Sequence, residues 1–227
     1  MRLTLVRHPP PQVASGICYG QTDVACAPDV VASTARALMP CLPPGIRIVC
    51  SPLQRCEHLA QILQGLKPDL AYKTDARLAE MHFGAWEMQA WANIAPSELQ
   101  AWTDDFAHFR CGGSGESSAW FVRRVAQCLR ETALSGQDQV WVTHAGVMKA
   151  LQWLQAQPPT WIEALFKALA RSPGATCALP TLGDAEHGLW RDQLRARDWP
   201  QGALAFGQVQ TWDWPPGWQQ DWLGAQA

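Results

Sequence analysis

The stretch Leu3-Thr4-Leu5-Val6-Arg7-His8-Pro9-Pro10 decides how the chain is read. Leu3, Leu5 and Val6 suit a short buried strand. Proline cannot donate to a central sheet ladder, so the strand ends near His8. A guanidinium and an imidazole therefore stand at the carboxyl end of a hydrophobic strand, the end where open α/β sheets bind ligands. The functional reading is an anion site with His8 as nucleophile. The plain reading is a surface Arg-His pair at a strand end, and the rest of the chain has to choose between them.

The pattern recurs. Residues 46–50 predict a second strand, which runs into Ser51-Pro52-Leu53-Gln54-Arg55. A helix follows with Cys56, Leu59, Ile62, Leu63 and Leu66 on one side. Residues 139–143 predict another strand, which enters His144-Ala145-Gly146 and a helix carrying Val147, Met148, Leu151 and Leu154. Further helices are expected near 28–39, 116–134 and from Pro158-Pro159 through Leu169. In the helix near 116–134, Trp120, Phe121, Val125, Cys128 and Leu129 form one face, with Arg123, Arg124, Arg130 and Glu131 largely off it. Residues 73–78 read as a weaker strand or loop, 85–110 as Trp-rich mixed structure, and 111–115 as a flexible break. Residues 171–203 read as irregular, and 206–212 as a last strand. Strands alternating with helices predict an α/β fold with a mostly parallel central sheet flanked by helices. No repeat or linker divides residues 1–227, so they read as one domain. Within it, about 81–115 is a cap-like segment and about 171–227 an irregular C-terminal portion.

Composition narrows the function. A net charge of −2 supplies no basic field for nucleic acid or an anionic membrane. An anionic substrate must therefore meet positive charge gathered locally. The apolar runs are too short to span a bilayer, and the opening residues lack a charged-then-apolar leader, so the expected location is the cytoplasm. The 8 cysteines show no Cys-x-x-Cys spacing, which argues for small core hydrophobes over a zinc site. No metal and no cofactor are implied.

Strand ends thus carry Arg7-His8, Ser51 with Arg55, and Thr143-His144. If those strands are neighbours, two Arg and two His converge, and helix N-termini add oriented amides. A phosphate suits such a pocket, because Arg forks match its oxygens and its charge offsets the crowded cations. Glu80, just before an aromatic-rich loop, adds a carboxyl that could protonate a leaving alkoxide. Taken singly, Glu80 is an ordinary surface carboxylate, Arg55 a helix-surface cation and His144 a structural histidine. Their joint occurrence at matching topological places argues for a site.

These segments resemble the histidine phosphatase superfamily, whose fold is the phosphoglycerate mutase-like three-layer sandwich. The resemblance rests on Leu5-Val6-Arg7-His8, Ser51-Pro52-Leu53-Gln54-Arg55-Cys56, and Arg77-Leu78-Ala79-Glu80 with Phe83-Gly84-Ala85-Trp86-Glu87. Gly115-Glu116-Ser117 with Phe121 and Arg124-Val125, then Val142-Thr143-His144-Ala145-Gly146, complete it over roughly residues 1–150. It implies a metal-independent phosphoric monoester hydrolase. His8 would take the phosphoryl group, Arg7, Arg55 and His144 would hold its oxygens, and Glu80 would serve the leaving oxygen and then water. Departures are Pro9, Pro11 and Ala14, where the family usually has Gly and often Thr and Asn. Leu59 stands at a common Thr and Met88 at a common Gly.

Within the family, the Arg-His-Pro and Cys-Tyr-Gly-Gln-Thr-Asp runs and the segment 80–87 resemble bacterial α-ribazole phosphatases of cobalamin synthesis. That would imply release of the 5′-phosphate from α-ribazole 5′-phosphate. Trp86, Trp91 and Trp102 could stack on a flat base or could pack a core. The tryptophans beyond 190 are expected to pack the last strand. The expected partner is a small phosphate ester, with no nucleic acid or membrane partner and the oligomeric state open. A broad sugar or small-molecule phosphatase, a mutase-like phosphotransferase and a non-catalytic phospho-ligand module are the competing readings.

Overall fold

The computed structural model describes residues 1–171, 190, 193–202 and 204–213. Its centre is a five-stranded sheet of β1 (Arg2–Arg7), β2 (Arg47–Cys50), β3 (Ala71–Thr74), β4 (Gln139–Thr143) and β5 (Val209–Asp213). The spatial order is β3-β2-β4-β1-β5. The first four strands are parallel and β5 runs antiparallel against β1. Strands β2, β4 and β1, which carry the three motif ends, are therefore contiguous.

Side-chain alternation splits the core into two layers. Leu3, Leu5, Val49 and Trp141 face α4 (Ser118–Ser135), α5 (Ala145–Gln155) and α6 (Pro159–Arg171). Val6, Ile48, Cys50, Val140 and Val142 face α1 (Pro28–Leu38) and α2 (Gln54–Leu66). All five residues of β4 are buried, as expected for a parallel strand covered on both faces. Helices on both sides of the sheet make the three-layer α/β sandwich.

The helices follow their local signals. Pro28 opens α1, and Val31, Ala35 and Leu38 form its buried stripe. Ser117 caps α4 by accepting from Trp120 N–H at 3.3 Å, and Gly136 ends it in the left-handed region at φ 64°.

Arg123, off the predicted apolar face of α4, is nevertheless 4% exposed, because α4 packs against α5 and α6 as well as the sheet. Several expectations change. Leu66 is 47% exposed, since the last turn of α2 runs past its partners. Residues 111–115 are a packed crossing rather than a flexible break. Gly112, at φ +53°, lies so close to the Phe83–Trp86 backbone that a Cβ would collide with Ala85 N. Phe206 precedes the last strand, because Gly207 at φ +69° turns the chain there.

Segment 81–115 holds 3-10 turns at Gly84–Trp86 and Trp91–Asn93 and the short α3 (Pro96–Asp104). Trp199 packs on Phe106 and so does not serve the last strand, and Trp190 packs on Trp153 and Trp161. Trp212 lies on β5 and packs against the core. Most of the portion read as irregular, including Trp214, Trp218 and Trp222, lies outside the described residues.

Candidate active site

The site is built on backbone ladders. His8 N–H donates to Thr143 O at 3.0 Å, and Ser51 N–H to Val142 O at 3.0 Å, so both residues continue the pairing of their strands with β4. His144 follows β4 as the N-cap residue of α5, and Arg55 sits in the first turn of α2. His8, Arg55 and His144 are 1%, 0% and 0% exposed, so their polar atoms must be paired inside the protein.

The partners fix the proton positions. His8 Nδ1 lies 2.6 Å from Pro9 O. A carbonyl only accepts, so Nδ1 carries the hydrogen and Nε2 keeps its lone pair. Burial, then the Arg55 cation, then Arg7, lower the imidazole to about 3, against the pull of Pro9 O upward. His8 is therefore neutral near pH 7, with Nε2 free to act as a nucleophile.

The His8 and His144 ring centres are 5.0 Å apart. Arg55 Nε donates to His144 Nδ1 at 3.3 Å. His144 therefore carries its hydrogen on Nε2, which donates to Ser51 Oγ at 2.8 Å. Burial first, and then Arg55 and His8, hold His144 well below the usual histidine range. Arg55 also donates to Thr22 O at 2.8 Å and Gly20 O at 2.6 Å, and its guanidinium carbon lies 5.1 Å from the Tyr19 ring centre.

Arg7 is held by the far end of the chain. Its Nη1 donates to Leu204 O, and its guanidinium carbon lies 3.8 Å from the Phe206 ring centre. Phe206 also stands 5.6 Å from the His8 ring. Arg7 Nε is buried and meets no partner among the described residues.

Glu80 sits on the N-terminus of α5. Its Oε2 accepts from Gly146 N–H at 3.0 Å and its Oε1 from Met81 N–H at 3.0 Å. A Cβ at position 146 would collide with Oε1, so glycine is what lets the carboxylate reach the helix end. Arg124 fixes this segment from behind, donating to Arg77 O, Ala79 O and Glu80 O at 2.7, 2.7 and 2.8 Å. Glu116 in turn holds Arg124 Nε at 2.7 Å and accepts from His82 N–H at 2.9 Å. Glu87 ties the loop under Arg55 to the same segment, accepting from Gln21 N–H at 3.0 Å, Thr22 N–H at 2.7 Å and Phe83 N–H at 3.0 Å.

Beside Glu80 opens a cavity of about 380 Å³. Glu80, Ala145 and Gly146 form one end, and Phe83, Trp91, Trp102, Phe106 and Trp199 form an aromatic wall. The rings of Trp91 and Trp102 lie within 12° of parallel, with centres 6.5 Å apart. Trp86 is not on this wall. It is 2% exposed and gives its Nε1 hydrogen to Glu98, so it packs the aromatic group from behind.

The structure thus gathers His8, Arg55, His144 and Glu80 at one end of the sheet and sets Trp91 and Trp102 in the cavity beside them. Glu87, Glu116 and Arg124 lay within the recognised motifs but carried no role in the sequence. Tyr19 lay in the Cys-Tyr-Gly run. Lys149 and Phe206 gave no signal. Among the described residues, no group of three or more His, Cys, Asp or Glu could hold a metal ion. No described helix is long and apolar enough to cross a membrane.

Two imidazoles and a buried guanidinium thus stand just beyond the ends of adjacent parallel strands, with a carboxylate on the N-terminus of the next helix, an arrangement suited to a phosphoryl group. Residues 3–167 match the histidine phosphatase superfamily (branch 1), and the chain belongs to that family. It is a phosphoric monoester hydrolase. The adenosylcobalamin/alpha-ribazole phosphatase of Salmonella typhimurium strain LT2 is 31% identical over 160 residues, 66% of this chain and 77% of that protein. A mycobacterial glucosyl-3-phosphoglycerate phosphatase superposes with a TM-score of 0.59 at 27% identity, covering 69% of this chain and 80% of that one. The alpha-ribazole phosphatase of Shigella flexneri has the same fold, with a TM-score of 0.60 at 24% identity over 74% of this chain and 84% of that one.

Proposed function

We propose that this phosphatase works through a phosphohistidine on His8 and releases phosphate from esters whose leaving group carries a flat ring, α-ribazole 5′-phosphate being the best candidate. The observation that carries the reading is the His8–Pro9 bond of 2.6 Å. It leaves Nε2 unprotonated beside Arg55 and His144. Nε2 attacks phosphorus, the bond to the leaving oxygen breaks, and Glu80 in its protonated form gives that oxygen a proton. Water then attacks the phosphohistidine while the Glu80 carboxylate takes its proton, and phosphate leaves. Arg7 Nε and the remaining Arg55 donors neutralise the phosphoryl oxygens. His144 Nε2–H exchanges Ser51 Oγ for one of them.

The choice of leaving group is supported by the aromatic wall and by the name of the Salmonella relative. The seven described cysteines are free thiols, which suits the cytoplasm. A panel of α-ribazole 5′-phosphate, sugar phosphates and phosphoglycerates tests the reading. The expected result is the highest kcat/KM on α-ribazole 5′-phosphate, with a trapped phosphoenzyme that disappears in His8→Ala. Label that survives His8→Ala means another nucleophile. Isomerised phosphoglycerate without free phosphate means a mutase.

A further inference from the structure

The chemistry above leaves one cation of the cavity unused. Lys149 lies on α5, three residues after Gly146 and hence on the same helix face. It is partly buried and lines the cavity together with Glu80 and the aromatic wall. Its ammonium makes no hydrogen bond or ion pair with any described residue. Burial lowers its pKa from the ordinary lysine range, while Glu80 raises it and Arg7 lowers it, so it lies within the field of both. On that reading the phosphoryl oxygens already have Arg7, Arg55 and His144. Lys149 shares the leaving-group cavity with Glu80, and neither Arg55 nor the two histidines belongs to its lining.

A half-desolvated ammonium without a partner is costly unless a ligand oxygen meets it. We infer that Lys149 is a specificity-determining residue that binds vicinal hydroxyls on a sugar lying between the ester and the flat ring. An ammonium has three donors, enough for two neighbouring hydroxyls. A ribosyl unit between phosphate and base presents that pattern. This deepens the proposed function and rests on its assignment of the Glu80 end as the reaction end. The alternative is that Lys149 positions or charges Glu80. That role would alter turnover of every ester alike, whereas hydroxyl recognition alters only esters that carry the hydroxyls.

The experiment compares the full-length wild type with Lys149→Met, which keeps an apolar stem, and with Lys149→Arg. The substrates are α-ribazole 5′-phosphate, its 2′,3′-dideoxy analogue and p-nitrophenyl phosphate. The wild type should prefer the hydroxylated ester over the dideoxy ester by roughly 10- to 100-fold in kcat/KM, the range of a hydrogen bond to a charged group. Lys149→Met should collapse that preference to about 3-fold or less through KM, and leave p-nitrophenyl phosphate unchanged. Lys149→Arg should restore part of it. Equal loss of kcat on all three, with a shifted pH profile, overturns the inference in favour of a positioning role. A wild type that hydrolyses p-nitrophenyl phosphate through His8 but does not distinguish the paired esters also overturns it. Absence of any His8-dependent turnover is a different failure, that of the phosphatase site itself, and takes this inference with it.

Discussion

The buried phosphate cluster and the aromatic cavity beside it are built in opposite ways. His8, Ser51 and His144 stand on the ends of three adjacent strands, where ladder bonds of 3.0 Å fix two of them directly. Their ring nitrogens are assigned by specific partners, and both rings and Arg55 are buried. The cavity wall comes from 3-10 turns, α3, α4 and a distant turn at Trp199, held by ring-on-ring contacts. On the proposed function, rigid sheet ends set the reaction and loops select the leaving group. Changes in the cluster should therefore act on every ester, and changes in the cavity only on particular ones.

Glu80 stands at the border and gives the largest expected effect. Glu80→Gln should lower kcat on alkyl phosphates by about 10²- to 10⁴-fold, the usual range for losing a general acid. It should slow the first-turnover release of p-nitrophenol much less, because that leaving group departs without a proton, while steady-state turnover falls on both because water still needs the Glu80 base. Equal losses in the first-turnover burst on both would remove Glu80 as the acid to the leaving oxygen.

The cluster should also make the protein sensitive to acid. The folded pKa of His8 is about 3, against about 6.5 in an unfolded chain. As pH falls below about 6.5 the unfolded state binds the proton first. The stability linked to His8 is thus complete above that value and is lost as pH drops toward the folded pKa. Urea unfolding should show a loss of about 1.4 kcal/mol per pH unit from this residue. His8→Asn, which keeps a donor near Pro9 O, should flatten the slope by that amount. An unchanged slope would mean that His8 is protonated in the folded protein.

Trp102→Leu probes the cavity alone. Stacking is worth about 0.5–1.5 kcal/mol, so KM should rise about 3- to 10-fold for a flat leaving group. It should barely change for ribose 5-phosphate, and kcat should stay within about 2-fold for both. A collapse of kcat on both esters would erase the distinction between the two regions.

The sequence made the cluster legible because each member adjoins a strand that announces itself. Leu3, Leu5 and Val6 locate Arg7-His8, and the wholly buried β4 locates His144. The cavity has no such grammar. Trp86, Trp91 and Trp102 look alike along the chain, yet Trp86 is buried behind the other two. Only tertiary packing separates them. Phe206 and Leu204 reach Arg7 because β5 pairs with β1, a contact across nearly the whole chain that no local pattern encodes. Arg123 reads only as lying off the apolar face of α4, and its burial follows from the layer above that helix, which no local pattern encodes.

Met88 offers the smallest and cleanest test, since it was legible as a departure and the backbone explains why. It follows Glu87, which ties the loop under Arg55 to the segment carrying Glu80. Its φ is 62°, it is the one non-glycine residue with positive φ among those described, and its side chain is 53% exposed. An L-residue there costs about 1–2 kcal/mol, and glycine gives back about 0.5–1 kcal/mol through its freer unfolded chain. Because the exposed side chain contributes little packing, Met88→Gly should stabilise the protein by up to about 1 kcal/mol, or about 2–4 °C in Tm. The Met88 N–H bond to Cys18 O at 2.6 Å should persist, so kcat/KM should not move on any ester. A raised Tm with altered KM on flat leaving groups alone would give the Met88 side chain a place at the cavity mouth. Loss of kcat on all esters would mean that the turn transmits strain to Glu87 and the cluster, and that the two regions are less independent than their construction implies.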